Sequence, residues 1–138
     1  MKTTLIAVGK AKPPFSEANA HYLKLLSRRF PVDLIEVRDD DSVAARIPDR
    51  AYAVALDVSG EQLSSEGWAA WLGERKLAAV DLCFLIGGPH GLASEVLARA
   101  DQRLSLGQQT MAHQLARAAL LEQIFRATKI LAGEPYHY

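Results

Sequence analysis

Leu85-Ile86-Gly87-Gly88-Pro89-His90-Gly91-Leu92 is the stretch of sequence on which the fold prediction rests. It completes an apolar run that begins at Leu82 and stops abruptly at two glycines, as a short buried strand does. A helical pattern resumes at Ser94. Strand, glycine turn and helix in this order are how α/β proteins hold a ligand at the carboxyl end of a strand. Bare backbone at Gly87 and Gly88 would let a ligand approach closely, where any side chain would block it.

Apolar runs of strand length recur along the chain, separated by stretches with helical spacing. The predicted strands span residues 5–8, 32–37, 52–58, 82–86 and 104–106. Strands that alternate with helices at such short intervals indicate an α/β fold, with a mostly parallel sheet and helices on both faces. No linker, internal repeat or low-complexity segment interrupts the pattern, so we expect a single domain over residues 1–138.

Two of the predicted helices can be described from their start signals and apolar faces. Ser16 can cap the first helix. The apolar face of that helix is formed by Tyr22, Leu25, Leu26 and Phe30. The second helix begins at Ser64 or Ser65. Trp68 and Trp71 share one side of it, and we expect them to fill the core rather than to form a stacking platform for bases.

The chain ends on a long helical pattern over residues 113–131, closed by Gly133 and the stop signal Pro135. Four residues give this helix a broader apolar surface than one stripe against a sheet requires, and we expect them to form a homodimer interface. They are Leu120, Leu121, Ile124 and Phe125. The last residues are Tyr136-His137-Tyr138. A surface tail seldom carries two tyrosines around a histidine, since exposed aromatic rings gain little stability there.

The charges of the chain balance, with sixteen basic and sixteen acidic residues. That balance argues against a protein that binds nucleic acid by bulk electrostatics, so an RNA substrate would need a local basic patch or recognition by shape. Lys10 and Lys12 lie in a loop after the first strand. Lys24, Arg28 and Arg29 either join them in one RNA-facing patch or form an ordinary solvated helix face.

Several classes of site are disfavoured by what the sequence lacks. Cys83 is the single cysteine and lies in an apolar strand, which excludes a disulfide framework and predicts a buried, inert thiol. No Cys and His spacing suits zinc, and Asp39, Asp40 and Asp41 are adjacent and do not converge on one ion, so we expect no metal. The first apolar run stops at Gly9-Lys10, too short for a signal peptide, and no stretch approaches the roughly 20 residues of a membrane span. We therefore expect a cytoplasmic protein without membrane contact.

Several motifs in this order and spacing are similar to those of one family. They are Leu85-Ile86-Gly87-Gly88, Leu104-Ser105, His113-Gln114 with Arg117, Glu122-Gln123 with Arg126, and Gly133-Glu134-x-Tyr136-His137. The family that they resemble is ribosomal RNA large subunit methyltransferase H, a minimal SPOUT-class enzyme. Ala7-Val8-Gly9-Lys10 and Leu34-Ile35-Glu36-Val37 also match, so the resemblance covers nearly the whole chain.

The resemblance implies a methyltransferase that uses S-adenosylmethionine and carries a C-terminal trefoil knot. Methyl transfer suits a chain without a Walker A motif, a dinucleotide fingerprint or a Gly-x-Ser-x-Gly elbow. It requires a bound cofactor, an aligned acceptor and little else, since the sulfonium is already a reactive electrophile. The residues implied to bind the cofactor lie in three loops and are Leu56, Gly87, Gly88, Leu106, Gly107, Gln108, Gln109, Thr110 and Met111. Of these, Leu56 and Met111 would clasp the adenine.

The resemblance further implies that the acceptor is N3 of a pseudouridine in large-subunit (23S) ribosomal RNA, methylated on the assembled ribosome. That nitrogen loses its proton on methylation, so a base nearby is useful. His137 is a suitable candidate, and Tyr136 could stack on the target base or orient it. The alternative for both is a tail that packs onto its neighbour. Arg117 and Arg126 would either contact phosphates or form simple salt bridges, and Lys10 and Lys12 would contact the RNA.

Two residues depart from the family pattern. Ala112 stands where a proline commonly precedes the motif histidine, so the loop before the last helix is expected to be less rigid. Tyr138 stands where a basic residue commonly ends the chain, which puts any contact by that charge in doubt.

Because Pro135 directs the chain away from the interface helix of this family, we expect the tail to complete the partner's active site.

Two other functions are compatible with the sequence. One is a SPOUT methyltransferase that acts on another nucleotide of ribosomal RNA or tRNA. The other is a catalytically idle, ribosome-associated or ligand-binding module. The glycine-rich loops together with the Tyr136-His137 tail favour the enzyme.

Overall fold

The computed structural model describes residues 1–136, which form five β-strands and four α-helices. In chain order they are β1 (Thr3–Val8), α1 (Phe15–Leu26), β2 (Val32–Val37), β3 (Tyr52–Gln62), α2 (Ser65–Ala78), β4 (Leu82–Ile86), α3 (Ser94–Arg99), β5 (Gln102–Ser105) and α4 (His113–Leu131). Each predicted strand is present, and α4 has its predicted bounds. None of the helices in the described residues is both long and apolar enough to cross a membrane.

The strands form one parallel sheet in the order β2-β1-β4-β3-β5. β1 lies between β2 and β4, with Ala7 opposite both Glu36 and Ile86. β1 and β4 are buried over their whole length, which is why their sequences are largely apolar without alternation. Because all five strands run in one direction, their carboxyl ends meet at one edge of the sheet. The predicted α/β fold with a parallel sheet is confirmed, and the trefoil knot stays a prediction.

Helices cover both faces of the sheet, because alternate side chains of a strand point to opposite faces. Phe84 and Ile86 of β4 join a core that also contains buried residues of α1, α2 and α4. Cys83 and Leu85 join a second core with Val96 of α3. Cys83 has no exposed surface, and burial raises the pKa of its thiol to about 11. The predictions of helices on both faces and of a buried cysteine are confirmed.

α1 begins earlier than the sequence indicated. Pro14 occupies its N-cap position, so Ser16 lies within the first turn, and the prediction that Ser16 caps the helix is wrong. Proline is tolerated at this end because the first turn has no partner for an N–H group. Leu26 is buried as expected, but Leu25 is 42% exposed. Asn19, seven residues before Leu26 and therefore on the same side of the helix, is buried instead.

α2 agrees with its predicted start and core. Ser64 is the N-cap and accepts a hydrogen bond from the N–H of Gly67 at 3.0 Å. Trp68 and Trp71 are both buried, and the indole N–H of Trp71 donates to the side-chain oxygen of Gln102 at 2.8 Å. The prediction that the two tryptophans fill the core is confirmed.

α4 packs against α1, α2 and β4 within one subunit. Its four residues predicted to form a dimer surface are at most 8% exposed, and they are Leu120, Leu121, Ile124 and Phe125. That prediction is wrong, because neighbouring helices of the same chain already cover these side chains. The large apolar side chains of α4 that stay exposed are Leu115, Ile130 and Leu131.

Candidate active site

A cavity of about 430 Å³ opens at the carboxyl ends of β3, β4 and β5, and the start of α4 closes one side of it. The predicted cofactor residues that line it are Leu56, Gly87, Gly88, Leu106, Gly107, Gln109, Thr110 and Met111. Gln108 is exposed and does not belong to the lining. The three predicted loops thus surround one space. Across residues 1–136, no three side chains of His, Cys, Asp or Glu are grouped so that they could hold a metal ion.

The wall contributed by β3 is a bulge that sequence patterns did not predict. β3 pairs with β5 as far as Leu56 and again at Glu61, so the residues between them leave the ladder. Asp57 thereby reaches the cavity. A Cβ atom at Gly60 would lie 2.7 Å from the backbone of β5, so glycine is required where the chain returns to the sheet.

The two glycines after β4 are required by the loop itself. A Cβ atom at Gly87 would lie 2.5 Å from the carbonyl carbon of Gly91, and one at Gly88 would lie 3.1 Å from a methyl carbon of Val8. The expectation that a side chain at Gly87 would enter the space of the ligand is wrong, because its Cβ would point into the turn. Gly107 differs, since it has a φ of +144° and, apart from its two neighbours in the chain, no described residue has an atom within 4 Å of an added Cβ.

Ser105 fixes the loop between β5 and α4. Its hydroxyl donates to the carbonyl oxygen of Gly107 at 2.7 Å and accepts from the Gly107 N–H at 3.0 Å. The side chain is buried and lines the cavity. Ser105 was not among the predicted site residues, although a serine two residues before a glycine is a common turn signal. Its hydrogen bonds hold the backbone of Gly107 in place beside the cavity.

Ala112 stands at the N-cap of α4, where the family pattern has proline. Its φ is −54° and its ψ is 133°. This φ lies within the range that a proline ring imposes, about −65 ± 15°. The loop therefore adopts a conformation compatible with proline without containing one.

Ala112→Pro should raise the free energy of unfolding by about 0.4–1 kcal/mol, because it restricts the unfolded chain and leaves the native φ unchanged. In a chain of this size that equals a rise in melting temperature of roughly 1–5 °C. Thermal unfolding followed by circular dichroism measures it. Ala70→Pro, on the exposed side of α2, is the control and should lose about 3 kcal/mol. A lower melting temperature for Ala112→Pro would show that a suitable φ at residue 112 is not sufficient for the loop to accept proline.

Arg117 is fully buried, with 0% of its surface exposed. Its guanidinium forms a salt bridge with Glu36 at 2.8 Å and donates to the carbonyl oxygens of Val8 at 2.7 Å and Gly9 at 3.0 Å. Burial lowers the pKa of this group from its ordinary value, and Glu36 opposes the shift. The predicted phosphate contact by Arg117 is wrong, because a side chain without exposed surface cannot meet RNA. The salt bridge, its alternative, is present.

The loop after β1, residues 9–12, is called the basic loop here and carries the exposed residues Lys10 and Lys12. It lies beside the first turn of α4, where Gln114 accepts from the N–H of Lys12 at 2.9 Å. Arg29 forms a salt bridge with Glu134, beyond the opposite end of α4. The 19 residues of α4 span about 28 Å, so the structure does not bring Arg29 into one patch with the basic loop.

Tyr136 packs onto α4 of its own subunit and does not line the cavity. Its ring meets Phe125 edge to face with centroids 5.1 Å apart, and the guanidinium of Arg126 lies 4.6 Å from the ring centroid. Arg126 also forms a salt bridge with Glu122 at 3.1 Å. Burial and the charge of Glu122 raise the pKa of Tyr136 to about 12. His137, the predicted base, lies outside the described residues, and the roles of both tail residues stay predictions.

Known relatives share nearly the whole length of this chain. The family model described as "Predicted SPOUT methyltransferase" matches residues 1–137. The "Ribosomal RNA large subunit methyltransferase H" of Carboxydothermus hydrogenoformans is 42% identical over 158 residues, and the match covers 99% of both proteins. The protein of the same name from Stenotrophomonas maltophilia (strain R551-3) is 41% identical over 154 residues, with 99% of both covered.

Solved structures show the same fold at low sequence identity. The SpoU methyltransferase AviRb of Streptomyces viridochromogenes, in complex with the cofactor AdoMet, gives a TM-score of 0.54 at 13% identity. The match covers 92% of this chain and 58% of AviRb. The match to a putative methylase from Neisseria gonorrhoeae has a TM-score of 0.61 at 10% identity and covers 99% of this chain and 95% of that one. The chain therefore belongs to the SPOUT methyltransferases and, among them, to the ribosomal RNA large subunit methyltransferase H family.

Proposed function

We propose that this protein methylates N3 of a pseudouridine in large-subunit ribosomal RNA, with S-adenosylmethionine as the methyl donor. The observation that carries the proposal is the cavity in which Leu56, Gly107 and Met111 meet at the carboxyl edge of the sheet. Ligands of open α/β sheets bind at this edge. The names of the curated relatives support large-subunit ribosomal RNA as the substrate. Such a substrate places the protein in the cytoplasm.

The residues around the cavity fit S-adenosylmethionine. A volume of about 430 Å³ lies in the range of small-molecule sites. Leu56 and Met111 offer partly buried apolar side chains to an adenine, and the open space beside Gly107 lets the ligand approach the backbone of this loop. When bound, this cofactor supplies a methyl group on an electrophilic sulfonium. The protein's own contribution is to bind and orient the reactants and to remove a proton.

Proton removal from the acceptor nitrogen is the step that the tail would assist. Tyr136 is protonated at neutral pH, as a tyrosine with its ordinary pKa of about 10 is, and burial and Glu122 raise its pKa further, to about 12. It is therefore suited to stacking on the target base or orienting it, and not to acting as the base. His137 is the proposed base, since an imidazole titrates close to neutral pH.

The position of Tyr136 supports a tail that serves the partner subunit of a homodimer. Its ring packs at the level of Phe125, whereas Ala116 is the last residue of α4 that lines the cavity. These two levels of the helix are about 14 Å apart at 1.5 Å per residue. Tyr136 therefore lies at that distance along α4 from the cavity of its own subunit. In the proposed homodimer, each tail completes the partner's site.

The homodimer should appear in sedimentation at micromolar concentration as a species of twice the 15.1 kDa chain mass. Leu115 is 45% exposed on α4, next to the turn that borders the cavity, and we expect the partner to cover it. Leu115→Asp should therefore shift the protein towards monomer, since a buried carboxylate is unfavourable. Leu77→Asp, at a residue 90% exposed on α2, is the control and should remain dimeric. A wild-type protein that sediments as a monomer would contradict the proposed assembly.

Transfer of tritium from S-adenosylmethionine tests the proposed function. The label should enter 23S RNA when intact ribosomes are the substrate, and digestion followed by chromatography should place it in 3-methylpseudouridine. Free ribosomal RNA and tRNA serve as the comparison substrates and should be poor acceptors. Label in tRNA or in another nucleotide would favour a different SPOUT activity. Cofactor binding without transfer to any RNA would favour an idle module.

A further inference from the structure

The basic loop is held by the buried side chain of Arg117 and the partly exposed side chains of Glu36 and Gln114, which the proposed mechanism does not otherwise use. Arg117 binds the carbonyl oxygens of Val8 and Gly9 and so fixes the start of the loop. The oxygen of Glu36 that accepts from Arg117 at 2.8 Å also accepts from the N–H of Ala11 at 2.6 Å. One ion pair between α4 and β2 thus fixes both the entrance and the middle of the loop.

Gln114 holds the part of the basic loop that carries the lysines. Its side-chain oxygen accepts from the N–H of Lys12 at 2.9 Å, and its side-chain N–H donates to the carbonyl oxygen of Lys10 at 3.2 Å. Gln114 is partly buried, whereas both lysine side chains are exposed. The backbone on either side of Ala11 is therefore fixed, while the two charges point into solvent.

Water could satisfy the backbone groups of Lys10, Ala11 and Lys12, because this part of the loop lies at the surface. Hydrogen bonds from side chains therefore add little net stability in exchange for those to water. Their distinctive effect is to fix one conformation of five consecutive residues, from Val8 to Lys12. Loops at a protein surface are ordinarily mobile. A set of hydrogen bonds that fixes this loop in one conformation therefore indicates that the position of the loop matters.

Two contacts place the basic loop at the rim of the cavity. Val8, the residue directly before the loop, lies against Gly88, since a Cβ atom at Gly88 would be 3.1 Å from its side chain. Gln114 directly follows His113, and both Gly88 and His113 line the cavity. An RNA nucleotide presented at the mouth of the cavity, towards the cofactor inside it, would bring its neighbouring phosphates close to this rim.

We propose that Gln114 and Arg117 are positioning residues that hold Lys10 and Lys12 against the phosphates flanking the target nucleotide. The inference rests on the proposed function and deepens it, because it names the residues that align the RNA backbone with the cofactor cavity. Neither Gln114 nor Arg117 touches the RNA. Both act through the conformation of the basic loop.

Gln114→Met is the principal test, because it removes both hydrogen bonds to the loop without changing charge or size greatly. The assay measures the KM for ribosomes at several salt concentrations. In the double variant Lys10→Ala/Lys12→Ala, the dependence of log KM on log salt should become shallower by about 1 per lysine. Gln114→Met should reproduce a large part of this change and raise KM about tenfold at physiological salt, with kcat nearly unchanged. A residue with a merely structural role would not alter the salt dependence.

The combined variant provides the second readout. If Gln114 acts only through the lysines, Gln114→Met added to Lys10→Ala/Lys12→Ala should raise KM no further, since interacting residues are not additive. Arg117→Lys is expected to show the same shallower salt dependence and serves as a third measurement where it folds. Affinity for S-adenosylmethionine, measured by calorimetry, should stay at the wild-type value in Gln114→Met.

The outcomes distinguish this inference from the function on which it rests. If wild-type protein transfers no methyl group to ribosomes, the proposed function is wrong and the inference falls with it. If the wild type is active but Gln114→Met keeps its KM and salt dependence, the positioning role alone is overturned. The same holds if the two lysine substitutions leave the salt dependence unchanged, because the loop then meets no phosphate.

Discussion

Deletion of residues 136–138 should abolish methyl transfer and leave the affinity for S-adenosylmethionine close to that of the full chain. The tail carries the proposed base, and loss of a general base lowers a rate by about 10²-fold or more. The described lining of the cavity is kept, because Tyr136 does not belong to it. Transfer to ribosomes is measured by tritium incorporation and cofactor binding by calorimetry. Tyr138→Ala is the control and should retain activity, since both proposed tail groups remain.

Mixing two inactive proteins tests whether the tail acts across the dimer. One is the tail deletion, and the other is a full-length chain whose cavity binds S-adenosylmethionine too weakly to be filled at the cofactor concentration of the assay. Gly87→Val is unsuitable for the second role, because its side chain would strike the backbone of Gly91 and disturb the loop. Ala116→Leu, described below, is the better choice. Subunit exchange should restore activity in the mixed dimer, at the intact cavity served by the intact tail. Mixed dimers that stay inactive would show that each tail serves its own subunit.

Ala116→Leu should lower the affinity for S-adenosylmethionine by about 10²-fold. Ala116 faces the cavity from α4 and is only 9% exposed, so a larger side chain must occupy the space of the ligand. Overfilling of a packed site costs about 1–3 kcal/mol, and each 1.4 kcal/mol is tenfold in affinity. Calorimetric titration measures the change, and thermal unfolding confirms that the variant is folded.

Ala70→Leu is the matched control for this substitution. It makes the same change on the exposed side of α2, and its affinity for the cofactor should equal that of the wild type. Unchanged affinity in Ala116→Leu would place the cofactor away from this cavity and remove the observation that carries the proposed function. An equal loss in both variants would point to a general loss of stability instead.

The sequence predicted correctly the ends of those strands and helices that are determined by neighbouring residues, such as a glycine that begins a turn. β4 is an apolar run that stops where Gly87 begins a tight turn, and it was predicted with the correct ends. α4 ends as predicted before Gly133, which has a φ of +67° that most other residues avoid. The three cofactor segments were predicted by resemblance, and the fold explains why they converge, since one is a bulge in β3 and the other two follow its neighbours β4 and β5.

Contacts between distant parts of the chain decided the features that the sequence did not predict. The hydrogen-bond partners of Arg117 are 81 to 109 residues away in sequence. Nothing near Arg117 in sequence therefore distinguished a buried salt bridge from a phosphate contact. The apolar residues around Leu121 were predicted to form a dimer interface for the same reason. They pack against α1 and α2, which are distant in sequence. The bulge at Asp57 depends on the register of β3 against β5, which no local pattern specifies.

The docking of Tyr136 about 14 Å along α4 from its own cavity has a kinetic consequence. If each tail serves the partner, a lone subunit holds the cofactor pocket of one site and the tail of another, and it completes neither. Dilution below the dissociation constant of the dimer would then inactivate the enzyme by mass action. In that range the initial rate would rise with the square of the enzyme concentration instead of in proportion to it. The abundance of the protein in a cell, and not only that of its substrates, would set how fast ribosomes are modified.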